Sequence, residues 1–232
     1  MTTIASNLQA VRAAMAAAAV AAGRDPHGIG LLAVSKTFTA EAIRAAYHAG
    51  QTRFAESYVQ EALHKIEALR DLPIEWHYIG PLQSNKTRPV VEHFAWVHSV
   101  DRLKIAERLS VQRPARLPPL QVCLQVNISG EDSKSGASAD ETGALAEAVA
   151  ELPNLRLRGL MAIPAPSEEI AVQRAAFARV RELFDQLNRQ GLGLDTLSMG
   201  MSHDFAAAIA EGATIVRIGT AIFGTRHYGD KV

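Results

Sequence analysis

The sequence predicts an α/β fold of one (β/α)₈ barrel, and three observations predict it. Eight short strand candidates occur, each followed by a helix or a helical turn. Most of these strands read as unbroken apolar runs, the pattern of strands covered on both faces in a parallel sheet. The turn after the first strand reads Ser35-Lys36-Thr37, so the G-x-G-x-x-G of the competing open, doubly wound sheet is missing where that fold would carry it. Eight βα units in about 200 residues match a barrel.

An extra helix comes first. Ile4, Leu8, Val11, Met15 and Ala18/Ala19/Ala22 recur at three- to four-residue spacing, and Gly23 and Pro26 stop the run. Its alanine-rich part, Ala13–Ala22, is too short to span a bilayer and lacks the basic leader and branched apolar centre of a signal peptide. The first strand is Ile29–Ser35. Thr39 caps a helix over Ala40–Ala49, closed by Gly50. Thr52–Ala55 is the second strand and about Ser57 to Leu69 the next helix. Ile74–Ile79 is an aromatic-rich strand, followed by a weak helix Ser84–Glu92 interrupted by Pro89. After the strand Ala95–Val100, Asp101 caps a helix to about Leu109. Leu120–Val126 and Leu155–Ile163 are the fifth and sixth strands, followed by helices Ala139–Leu152 and Glu168–Gln190. Thr196–Ser198 precedes a helix His203–Glu211, and Thr214–Ile218 precedes one more turn at Gly219–Phe223. No repeat, low-complexity tract or linker divides the chain, and Pro114–Pro119 reads as a loop; residues 1–232 are expected to form one domain.

Composition narrows function. Apolar residues make up 48% and charged residues 21% of the 232, an ordinary globular balance. Lys+Arg and Asp+Glu both number 24, so the basic excess of a nucleic-acid binder is absent. The single cysteine, Cys123, excludes an internal disulfide or a cysteine cluster and sits in an apolar run as a small hydrophobe. A reducing, cytoplasmic setting away from membranes is the expectation.

In a barrel, the site lies at the C-terminal ends of the strands, and loops after strands seven and eight often hold a phosphate. Here those loops are Ser198-Met199-Gly200-Met201-Ser202 and Arg217-Ile218-Gly219-Thr220-Ala221-Ile222-Phe223-Gly224. Their small residues let backbone N–H groups approach an anion, Ser202 and Thr220 add hydroxyls, and a helical turn starts near Gly219. The plainer reading of each is a glycine-containing turn. Lys36 ends the first strand. It is either a solvated strand-end lysine or an amine held at the barrel mouth, able to act as a Schiff-base nucleophile when desolvated. An aldehyde carrying a phosphate satisfies both features, and pyridoxal 5′-phosphate is the common one.

Six segments then carry a resemblance. Ala33-Val34-Ser35-Lys36, Trp76 to Lys86, Val126-Asn127-Ile128-Ser129 with Ser133-Lys134-Ser135-Gly136, Leu160 to Pro164, Leu197 to Ser202, and Val216 to Gly224 closely resemble the pyridoxal-phosphate homeostasis protein family. The resemblance spans nearly the whole chain. It implies a barrel like the N-terminal domain of alanine racemase, with Lys36 carrying the Schiff base. It implies Ser202, Gly219 and Thr220 at the phosphate with Met201 lining the same loop, Arg217 facing the pyridine nitrogen, and His77 near the cofactor from the third strand.

This chain departs from the family pattern in two places. Ser57 stands in Ala55-Glu56-Ser57-Tyr58 where the family reads Gly-Glu-Asn-Tyr, which shortens a side chain beside the ring. His203 follows Ser202 where an acidic residue is usual.

Arg217 argues against transaminase chemistry. A guanidinium beside the ring nitrogen leaves that nitrogen unprotonated and the cofactor a weak electron sink. Glu56, Glu61, His48 and His64 read as surface charge, His93 and His98 form no metal pattern, and Lys134 is a second lysine able to reach the mouth. Two functions follow. One is a protein that holds pyridoxal 5′-phosphate and delivers it to apo enzymes without turnover, as a monomer. The other is a pyridoxal-phosphate-dependent amino-acid racemase. That reaction needs a second base, a tyrosine from a second domain, and Tyr47, Tyr58 and Tyr78 belong to the barrel while Tyr228 lies in the tail, so binding without turnover is the expectation. A sugar-phosphate enzyme using Lys36 is a third, weaker reading.

Overall fold

The computed structural model describes residues 3–129 and 135–225. Eight parallel strands close on themselves in sequence order. They are β1 (Gly30–Val34), β2 (Arg53–Glu56), β3 (Glu75–Tyr78), β4 (Trp96–Val100), β5 (Leu120–Val126), β6 (Leu155–Ala162), β7 (Thr196–Ser198) and β8 (Ile215–Ile218). The β8 strand returns to β1 with Leu32 beside Arg217 and Ala33 beside Ile218, which closes the ring. Nine α-helices are described: α1 (Ile4–Ala21), α2 (Ala40–His48), α3 (Val59–Ala68), α4 (Thr87–His93), α5 (Leu103–Gln112), α6 (Ala139–Ala150), α7 (Ile170–Arg189), α8 (Phe205–Ala210) and α9 (Thr220–Phe223). The expected (β/α)₈ barrel with an extra N-terminal helix is the architecture found.

Burial follows from this closure. The outward faces of the strands and the inward faces of the helices form one continuous apolar layer that includes Phe54, Leu109, Leu124, Leu160 and Phe177. Each such side chain contributes about 1.5–3 kcal/mol when fully removed from water. The barrel interior divides into two small apolar groups. Leu32, Val34, Ala55 and Ile215 form one, and Trp96, Cys123 and Met161 the other. Between them lie polar side chains: His77, His98, Ser198 and Arg217, all buried. Cys123 is fully buried, as its apolar context predicts, and burial pushes its thiol up to about 12.

Helix α1 is long and apolar enough to cross a membrane by length and composition. Its buried residues Leu8, Val11, Met15 and Ala19 instead belong to the shared apolar layer, and the helix packs on α8 and α9. A capping box between Thr3 and Ser6 starts it. The Asn7 side-chain amide donates to the Ile222 carbonyl at 2.9 Å, and Arg24 just beyond the helix donates to the Ile209 and Ala213 carbonyls.

The expected elements are present, with local corrections. Asp101 does not cap α5. The cap position is Arg102, because the Asp101 carboxylate is taken up by the Arg102 guanidinium at 2.7 Å. The segment Ser84–Glu92 splits into a 3₁₀ turn at Ser84–Lys86 and α4. Pro89 does not interrupt α4, since it occupies the first turn, where an N–H has no partner within the helix. The helix placed at His203–Glu211 begins at Phe205, because Asp204 Oδ1 closes a turn on the Met201 N–H at 2.6 Å.

Candidate functional site

Lys36 follows β1, and the chain on both sides of it is clamped. The Ser35 hydroxyl donates to Glu56 Oε1 at 2.6 Å, and its carbonyl accepts from Lys65 Nζ at 2.8 Å. The Thr37 N–H donates to Glu61 Oε1 at 2.6 Å, in a left-handed backbone turn with φ of 70°. Lys65 ties the two carboxylates together, meeting Glu56 at 2.9 Å and Glu61 in a short contact. Glu56 and Glu61 are therefore not the surface charge expected of them. Glu56 is fully buried at the end of β2, and burial raises its carboxyl while Lys65 opposes the rise. The surface reading does hold for His48 and His64.

Ser57 follows β2 and is buried. Its carbonyl accepts from the Tyr78 hydroxyl at 3.2 Å and lies so close to Gly80 that a Cβ there would sit 2.1 Å from the oxygen. Gly80 therefore has to be glycine for the β2 and β3 ends to meet around Ser57. After β7, Gly200 turns the chain with φ of 92° against Ala208, which brings Met201 and Ser202 back over the barrel end. Arg217, on β8, is buried. It donates from Nη1 to the Ser198 carbonyl and to Ser198 Oγ at 2.9 Å, and from Nη2 to the Ala162 carbonyl at 3.0 Å. Burial lowers the guanidinium to about 10, so it stays charged at neutral pH. Gly219 packs on the Val34 carbonyl, and α9 begins directly after it with no side-chain cap on its first N–H groups.

These residues meet in one cavity of about 240 Å³ at the C-terminal ends of the strands. Lys36, Ser57, Met201, Ser202, Arg217, Gly219 and Thr220 all line it, together with Val34, Ile79, Ile163 and His203. Seven of the eight residues singled out in the sequence are thus brought together. The eighth, His77, is not. Side chains alternate along a strand, and from β3 the residue that reaches this cavity is Ile79, two positions on. His77 lies deeper, stacked on Trp96 with ring centres 5.3 Å apart. It faces a second cavity of about 550 Å³ at the opposite, N-terminal end of the barrel, lined also by Arg53, Glu75, Arg158 and Asp195. Lys134 and Tyr228 lie outside the described residues. Among the described residues no cluster of His, Cys, Asp or Glu is suited to a metal ion.

Three side chains at the site were not singled out as site residues in the sequence. Val34 and Ile79 follow from alternation once Lys36 and the β3 end are placed, and Ile163 follows from its position at the end of β6. Of the Lys65 clamp only the Glu61–Lys65 spacing of four on one helix was a local signal; Glu56 comes from a strand end and left none.

The family described as alanine racemase, N-terminal domain, matches residues 2–227. A pyridoxal phosphate homeostasis protein of Pseudomonas aeruginosa is 67% identical over 229 residues, covering 99% of this chain and 98% of its own. The protein of that name from Escherichia coli is 56% identical over the full length of both. Among solved structures, PipY of Synechococcus elongatus with pyridoxal phosphate bound has a TM-score of 0.84 at 39% identity, covering 96% of this chain and all of its own. Alanine racemase of Corynebacterium glutamicum, at 18% identity and a TM-score of 0.69, shares the fold over 62% of its length. The chain belongs to the alanine racemase N-terminal domain family and, within it, to the pyridoxal phosphate homeostasis proteins.

Proposed function

We propose that this protein holds pyridoxal 5′-phosphate in the C-terminal cavity through a Schiff base to Lys36 and releases it to apo enzymes, without turning over a substrate. The observation that carries this reading is the donor set gathered in one cavity: a primary amine, a buried guanidinium, two hydroxyls and the uncapped start of α9. That set fits the three ends of the cofactor, namely an aldehyde, a ring nitrogen and a phosphate. Bound there, the cofactor supplies an electrophilic aldehyde and an electron-accepting ring.

The rest belongs to the protein. Lys36, which lines the cavity, would supply the amine that holds the aldehyde, and the hydrogen bonds of Ser35 and Thr37 fix the backbone on both sides of it. Ser202, Thr220 and the backbone at Gly219 take the phosphate. Arg217 has donated three of its five N–H hydrogens to Ser198 and Ala162, and its remaining donors are available to an acceptor in the cavity. Because it is charged, it leaves such an acceptor unprotonated.

The test is borohydride reduction of the loaded protein with mass mapping, beside Lys36→Ala. The imine absorbance should vanish in the variant, the reduced adduct should map to Lys36, and the loaded wild type should reactivate an apo pyridoxal-phosphate enzyme. An adduct mapped to Lys86 or Lys134 in the wild type, or repeated conversion of an L-amino acid to its D form, would refute the proposal.

A further inference from the structure

The barrel interior contains a continuous chain of hydrogen bonds that runs from Arg217 to Glu75. Arg217 Nη1 lies 2.9 Å from Ser198 Oγ, which lies 2.8 Å from His98 Nδ1. His98 Nε2 lies 2.9 Å from His77 Nδ1, and His77 Nε2 lies 2.9 Å from Glu75 Oε1. A guanidinium only donates and a carboxylate only accepts, so Ser198 Oγ accepts from Arg217 and Glu75 accepts from His77 Nε2–H. Burial holds both imidazoles below their ordinary value and so neutral at pH 7.5. A neutral His77 that donates from Nε2 accepts at Nδ1 from His98 Nε2–H, and His98 Nδ1 then accepts from the Ser198 hydroxyl. Each ring nitrogen has one partner.

We propose that Ser198, His98, His77 and Glu75 form a positioning relay that fixes Arg217 toward the C-terminal cavity and is anchored at the N-terminal end of the barrel. The inference deepens the reading of Arg217 as the residue facing the ring nitrogen, and rests on it. Three further features support it. Arg217 is buried and, among the described residues, its side chain is held by the acceptors Ser198 and Ala162. His98 has no exposed atom to which an alternative partner can come, and burial holds it well below its ordinary value, with His77 and Arg217 adding to the effect. Glu75 is the one member that reaches solvent, with its side chain 43% exposed at the N-terminal cavity.

The same wiring makes the chain reversible. A proton added to His77 sits on Nδ1, opposite the His98 Nε2–H, and two donors cannot face each other. His98 must then move its own proton to Nδ1 and donate to Ser198 Oγ, whose hydroxyl proton is turned away from His98. The His98 Nδ1–H then shares the lone pairs of Ser198 Oγ with Arg217, with the positive charge on His77 behind it. The charged and titratable groups facing the pair are Glu75 on β3, Arg53 on β2, Arg158 on β6, Asp195 before β7 and Arg217 on β8, with the neutral Cys123 thiol on β5. The relay thus gives the ring end of one cavity a sensitivity to protonation at the other.

Two measurements test this. The first uses the ligand-free protein with ¹⁵N-labelled histidine. Long-range ¹⁵N–¹H spectra should show His77 and His98 as neutral Nε2–H tautomers at pH 7.5. An Nδ1–H tautomer at either residue overturns the relay. The second compares binding of pyridoxal 5′-phosphate with that of an analogue carrying CH in place of the ring nitrogen. Wild type should favour the nitrogen compound by about ten- to a hundredfold, the worth of a hydrogen bond from a charged group. His98→Phe should reduce that preference at least threefold while leaving the phosphate contribution unchanged. His98→Gln, with an amide oxygen for Ser198 and an amide N–H for His77, should restore most of it. Wild-type preference in His98→Phe overturns the proposal. A wild type that binds both compounds equally counts against the ring-nitrogen role of Arg217, whereas the histidine spectra judge the relay independently of any cofactor.

Discussion

Replacing Lys65 with methionine removes the one cation between Glu56 and Glu61 while nearly keeping the side-chain volume. Lys65 Nζ lies 2.9 Å from Glu56 Oε1, with side chains 7% and 0% exposed. At an effective dielectric constant of 20, that pair attracts by about 6 kcal/mol before desolvation is subtracted. Removing one partner of such a buried pair costs about 3–5 kcal/mol net, because the remaining charge stays buried. Glu56 already has a raised carboxyl and one oxygen without a partner. In Lys65→Met it should fold only in its protonated form. A carboxyl raised in the folded state contributes stability that is full below its unfolded value near 4.5 and is lost as pH climbs above it. The variant should therefore gain stability relative to wild type as pH falls from 8 toward 5, the reverse of a protein losing a surface ion pair. Urea unfolding followed by circular dichroism across that range measures both quantities. The double variant Lys65→Met/Glu56→Gln should recover at least half of the loss, since it leaves no buried charge. A single-variant loss below about 1 kcal/mol with an unchanged pH slope would show that the cluster is solvated and does not clamp the Lys36 turn.

Other perturbations follow from the same geometry. Thr220→Val should weaken binding of pyridoxal 5′-phosphate by about ten- to a hundredfold in equilibrium titration and leave pyridoxal without its phosphate unaffected. Gly80→Ala drives a methyl against the Ser57 carbonyl and should cost at least about 1–3 kcal/mol in urea unfolding, with a lowered midpoint. Cys123, pushed up to about 12, should react with a thiol reagent at pH 8 no faster than the barrel unfolds; its stability contribution is full below the unfolded thiol value and declines as pH rises above it. Arg24→Ala removes two hydrogen bonds to the Ile209 and Ala213 carbonyls and should speed hydrogen exchange in α1 more than in the barrel strands.

The barrel was readable because its strands are short apolar runs and its helices carry three- to four-residue spacing. The mouth was readable because strand ends select Lys36, Ser202 and Thr220 without knowledge of packing, whereas Ser57 and the role of Arg217 came with the family resemblance. Depth along a strand was harder to read. His77 on β3 and Ile79 just beyond its end alternate to the same side, and only the closed barrel shows that the second reaches the cavity while the first lies a layer below. Glu56 looked solvated because a strand end usually is. Its partner, Lys65, stands nine residues on, on a helix, and nothing local marks a lysine that turns inward. Asp101 failed as a cap for a similar reason, since the adjacent arginine took its carboxylate first.

Helix α1 leaves the ribosome before any strand, yet the surfaces that bury it on α8 and α9 are made from residues 205–223. During synthesis its Leu8, Val11, Met15 and Ala19 stripe therefore lacks that docking place until residues 205–223 have emerged. The β1 strand waits for β8 in the same way. Both closures join distant parts of the chain, and the entropy of closing such long loops is lost before the contacts return any energy. A nascent chain halted before β8 would carry an apolar helix and an unpaired strand edge together, the state most in need of a chaperone.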